Sequence, residues 1–73
     1  MDTEELLREW QDVLQRDASL DPQMCLADIE EWDSVSQLGM AAFFDRRLGI
    51  FVSAKRIAAC KTVQDLLKLA GKA

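Results

Sequence analysis

The chain has no histidine and no tyrosine, a single proline, three glycines and two cysteines in 73 residues. Each shortage removes a class of function. Without histidine, the usual general base and the commonest neutral metal ligand are both missing, so no Ser/His or Cys/His nucleophile pair can be assembled. Cys25 and Cys60 are too few for a disulfide framework and too widely spaced for a CxxC metal site. Both have apolar neighbours and are expected to be small buried hydrophobes. The glycines, Gly39, Gly49 and Gly71, are scattered, which excludes a glycine-rich phosphate loop. The acidic group Glu30, Glu31 and Asp33 lacks the spacing and turn glycine of a calcium loop and reads as a solvated turn, with no metal site expected. Taken together these shortages argue against an enzyme.

Long apolar runs are also missing. No stretch approaches the roughly 20 residues needed to cross a bilayer, and the N-terminus MDTEELLREW is acidic where a signal peptide would be basic. A soluble, cytoplasmic protein with no membrane partner is expected. What is present is a composition of 49% apolar and 30% charged residues, that of a folded domain. A chain this short hides only about 60% of the surface its unfolded form exposes, so one modest core and a monomer are expected, without deep clefts. The net charge of −4 conceals an asymmetry. Residues 1–33 hold eleven Asp/Glu against two Arg, whereas residues 34–73 hold two Asp against seven Lys/Arg. An acidic chain with few aromatics and no basic stripe argues against nucleic acid, where phosphate contacts dominate affinity.

Nothing marks an internal boundary: there is no repeat and no low-complexity segment. Leu6, Leu7, Trp10, Val13 and Leu14 form one stripe behind a cap at Asp2 or Thr3, which predicts helix I over about 3–16. A loop over 17–33 follows, long for so small a protein, with Leu20, Met24, Leu26, Ile29 and Trp32 as its apolar anchors. Asp33 suits the N-cap and Gly49 the left-handed C′ position of helix II, over about 34–48. Its wheel places Leu38, Met40, Ala41, Phe44 and Leu48 on one side and Val35, Gly39, Ala42, Phe43 and Arg46 on the other. Both sides are largely apolar, so one is expected to meet the core and the other something else. Ser53 caps a short helix III over about 54–60, with Ile57 and Cys60 facing inward. Thr62, with Asp65 three residues on, caps helix IV over about 63–70, which stops at Gly71. The fold class is all-α: a four-helix bundle with a long loop between helices I and II.

Ser34 is the residue these elements leave open. It is either ordinary helix-start chemistry or a place of attachment, since the positive end of a helix dipole favours a phosphodiester. The stretch DSVSQLGMAAFFDRRLGIFVSAKRIAACKTVQDLLKLA, residues 33–70, resembles the second half of an acyl carrier protein. The shared pattern is a DS-hydrophobic triplet, an apolar helix, an LGI turn, a short helix and a TV pair opening the last helix. The first half, an amphipathic helix and a long loop ending LADIEEWDS, fits too, so the likeness covers essentially the whole chain.

The resemblance implies a bundle of acyl-carrier type in which Ser34 is esterified by 4′-phosphopantetheine, donated from coenzyme A by a phosphopantetheinyl transferase. Acyl intermediates would ride on the arm's thiol as thioesters, presented to acyl-loading and acyl-processing enzymes. By position, Asp33 would help engage the transferase and Val35 would be the apolar contact beside the arm, where the family mostly has leucine. Leu38, Met40, Phe44, Ile57 and Cys60 would line the interior. The chain departs from the family's fatty-acid carriers, whose second helix is usually acidic, because Gly39, Arg46 and Arg47 stand where acids are frequent. A specialised polyketide, lipid or amino-acyl pathway is therefore expected, with partners reading Val35, Gly39, Ala42, Phe43 and Arg46. The alternative is a carrier-like helical module that is never modified and acts only through protein contact.

Overall fold

A computed structural model describes residues 1–72. Among these residues the chain forms four α-helices, α1 (Thr3–Leu14), α2 (Ser34–Phe43), α3 (Ala54–Ala58) and α4 (Val63–Leu69), and no strand. A 3-10 turn (Leu26–Asp28) interrupts the long loop, and α2 runs on as one π-helical stretch (Phe44–Leu48). No helix among them is long and apolar enough to cross a membrane.

The Glu5 amide donates to Asp2 Oδ1 at 2.9 Å, which makes Asp2 the cap of α1. Leu6, Trp10 and Leu14, four apart, are the residues α1 buries. The helix ends two residues short of the predicted Arg16, because Gln15 takes a left-handed conformation (φ 55°). The Gln15 and Arg16 amides then close on the Asp12 and Gln11 carbonyls, each at 3.0 Å.

Leu20, Leu26 and Ile29 bury the long loop, with Met24 and Trp32 half-buried beside them. Its backbone is also stitched to the start of α4. The Leu26 amide donates to the Lys61 carbonyl at 2.8 Å, Val63 to Met24 at 3.0 Å and Gln64 to Pro22 at 2.9 Å. An ion pair between Arg16 and Glu31 at 3.0 Å ties its end to α1. These cross-links satisfy polar backbone that an irregular segment would otherwise leave unpaired.

Trp10 lies at the centre of the core and is fully buried. Phe44 stacks on it (centroids 5.9 Å apart, rings 10° from parallel) and Phe43 meets it edge-on at 6.4 Å. The Trp10 Nε1 group is buried and has no hydrogen-bond partner among the described residues. The guanidinium of Arg47 lies 5.8 Å over the Phe43 ring while pairing with Glu9 of α1, which closes the cluster from outside.

This packing corrects the sequence reading of α2. Phe43, assigned to the outward side, is buried, and Leu38, assigned to the interior, is 62% exposed. At about 100° per residue Phe43 falls beside Ser36 and Met40, while Leu38 falls beside Ala42. A helix apolar nearly all round gives the wheel no contrast, and it is Trp10, taking Phe43 and Phe44 on two sides, that sets the buried arc. Gly39 also moves: it is half-buried against α1, where an added Cβ would lie 3.4 Å from Val13 Cγ1. The cysteines are corrected as well, Cys25 being exposed and Cys60 partly so. Cys25 stands on the stitched segment opposite Thr62, and Cys60 lies beyond α3, which stops at Ala58. Ile57 alone of the inward pair is fully buried.

Candidate functional site

The start of α2 is built by Asp33 and Ser36. Asp33 Oδ1 accepts the Ser36 amide at 2.8 Å, and the Ser36 hydroxyl accepts the Asp33 amide at 2.9 Å. The same hydroxyl donates to the Asp33 carbonyl at 2.9 Å. This is a closed capping box, with serine in the place usually held by glutamate or glutamine. Ser34, the first helical residue, is exposed and takes no part in it. The ordinary explanation for a serine at a helix start, that it caps, is thus taken up by its neighbours.

Helix geometry leaves the amides of Ser34 and Val35 without intrahelical acceptors, so the positive end of the dipole meets solvent beside a free hydroxyl. The Asp33 Oδ1 atom is engaged by the Ser36 amide.

Two open grooves flank α2 here. One lies against the end of α1, between Val13, Leu14 and Gln15 on one wall and Asp33, Val35 and Gly39 on the other. The second is bounded by Trp32 and Gln37, by Cys25 and Leu26 of the loop, and by Ala58, Cys60 and Lys61. Burial pushes the Cys60 thiol up from its ordinary pKa, and Asp65 adds to that. Glu31 beside the first groove is held below the ordinary carboxylate value by its backbone amide and by Arg16. Among the described residues no group of three or more His, Cys, Asp or Glu is placed to hold a metal ion.

Of the residues singled out from sequence, Asp33, Ser34, Val35, Ala42 and Arg46 are all exposed on α2 and its extension, Val35 at 74%. Phe43 is removed from this surface and Leu38 joins it. Ser36 is the site residue that sequence reading missed. Its signal, D-x-x-S, is a weak form of the capping box. Comparison of the chain with protein families, with curated proteins and with solved structures finds no match in any of the three.

Proposed function

We propose that the protein is an acyl carrier protein, its four helices forming a bundle of that type, with Ser34 as the point where a phosphopantetheinyl transferase attaches 4′-phosphopantetheine from coenzyme A. The observation that carries this reading is the free hydroxyl of Ser34 at the first turn of α2, with every cap hydrogen bond made by Asp33 and Ser36. The order of the DSV triplet, apolar helix, LGI turn, short helix and TV start supports it. So does the long loop before α2, stitched to the start of α4.

The residues present fit the arm. Unpaired first-turn amides and the helix dipole favour a phosphodiester at Ser34, and Val35 offers an exposed apolar contact beside it. When bound, the arm supplies a terminal thiol on which acyl groups are held as thioesters. The protein's own part is to raise the local concentration of that cargo at each partner enzyme. Leu38 is reassigned from an interior lining to the partner-facing strip of Val35, Ala42 and Arg46.

The test is to incubate the purified chain with coenzyme A and broad-specificity phosphopantetheinyl transferases and to measure its intact mass. The expected result is a gain of one phosphopantetheine that disappears in Ser34→Ala. No gain with any of several transferases would reject the carrier and leave an unmodified interaction module.

A further inference from the structure

Among the described residues four large apolar side chains are left exposed, and three of them, Val35 (74%), Leu38 (62%) and Phe51 (89%), belong to α2 and the connector that follows it. The charge around them is one-sided. Between Ser34 and Lys61 there is one acid, Asp45, against five cations, whereas residues 1–33 carry a net −9. Arg47 is paired with Glu9, but Arg46, Lys55 and Arg56 are exposed and appear in no ion pair among the described residues. α3, which carries Lys55 and Arg56, packs against α2. Exposed apolar side chains along α2 and its connector, with unpaired cations on the same stretch and on the helix packed against it, are the composition of a protein-docking surface, where apolar contact gives affinity and charge selects the partner.

We infer that α2, the connector and α3 form the docking face of this protein, and that its partner presents an apolar patch rimmed by Asp and Glu. The inference rests on the carrier reading for its placement beside Ser34, and it assigns the partner a polarity opposite to that met by carriers with an acidic second helix. A partner with a basic rim would set like charges against Arg46, Lys55 and Arg56, which costs affinity and slows encounter.

The test uses the isotope-labelled full chain and two synthetic amphipathic helices that share a leucine stripe, one bordered by glutamates and its twin by lysines. The glutamate peptide is expected to shift the amide resonances of 35–46 and 51–56 and to bind this face about tenfold or more tightly than the lysine twin, with the gap narrowing in high salt. The triple variant R46E/K55E/R56E, altered only at exposed positions, should keep its helicity and reverse the preference. Equal binding of the two peptides, or shifts elsewhere, would overturn the inference. Shifts produced only by anionic phosphatidylglycerol vesicles would overturn it in favour of a membrane face. Shifts that grow with protein concentration alone would do so in favour of a second copy. Intact mass at Ser34 is read separately. A chain that gains the arm but does not discriminate the peptides loses only this inference; one that discriminates but never gains the arm loses only the carrier.

Discussion

Two serines stand two positions apart at the start of α2 and have opposite duties. Ser36 makes both reciprocal bonds of the capping box, whereas Ser34 makes neither. Ser36→Ala should therefore cost about 1 kcal/mol, the usual worth of a helix cap. Ser34→Ala should stay within about 0.5 kcal/mol, as for a surface residue with no special contact. Urea denaturation of the two variants measures the difference. A Ser34→Ala loss as large as that of Ser36→Ala would return Ser34 to a structural role. Which serine was free could not be read from DSVS, because serine at the third helical position is an uncommon box partner. The equivalent box at α4 was legible, since Thr62 and Asp65 follow a familiar pattern; there the Asp65 amide donates to Thr62 Oγ1 at 3.2 Å.

At the scale of the element, α2 shows where periodicity informs and where it fails. Its ends were legible because they depend on local chemistry: the Asp33 side chain at one, and at the other the positive φ (67°) of Gly49. Its buried face was not legible, because an apolar residue stands on almost every side and the choice was made by Trp10 on another helix. The practical consequence is that Phe43→Glu would place a carboxylate in the aromatic cluster and report on folding, so Leu38→Glu is the variant that tests the outer face. The π-helical stretch was equally unreadable. At its end the Gly49 amide reaches Asp45, four residues back, at 3.2 Å and also Phe44, five back, while the Ile50 amide reaches Phe44, six back, at 3.0 Å. The two glycines of this segment should respond oppositely to alanine. At Gly49 the space is open, but the backbone is left-handed, so Gly49→Ala should destabilise by about 1 kcal/mol. At Gly39 the backbone is helical and the new methyl meets Val13 at an ordinary contact distance. Gly39→Ala should therefore raise stability by up to about 1 kcal/mol through helix propensity. Thermal melts of both variants check the signs.

In the molecule as a whole, with a Cα radius of gyration of 10.7 Å, two junctions stand beside the packing of α3 on α2. The aromatic cluster joins α1 to α2, and a polar junction joins the long loop to α4. Asp65 is the hub of the second: its Oδ2 accepts the Lys61 amide at 2.9 Å and the Thr62 amide at 3.1 Å. The Lys61 carbonyl in turn receives Leu26 of the loop. Those two amides hold the Asp65 carboxyl below its ordinary pKa, and Glu31, paired to Arg16, is shifted in the same direction. The folded protein therefore binds these two protons less readily than the unfolded chain does. The stability they contribute is present above the ordinary carboxylate value and is lost as pH falls through the lower folded values, that is, below about pH 4. A domain of this size has little margin, so the loss should show as an acid limb in thermal stability. Asp65→Asn should lower Tm at neutral pH and flatten that limb, because the substituted amide no longer titrates. Glu31→Gln should flatten it less, since the pair with Arg16 is partly solvated and screened. Melting curves from pH 7 down to about pH 2 measure both effects. A wild-type limb unchanged in slope by either substitution would mean that the loop and α4 are held by their backbone bonds alone, with no contribution from the charge on Asp65.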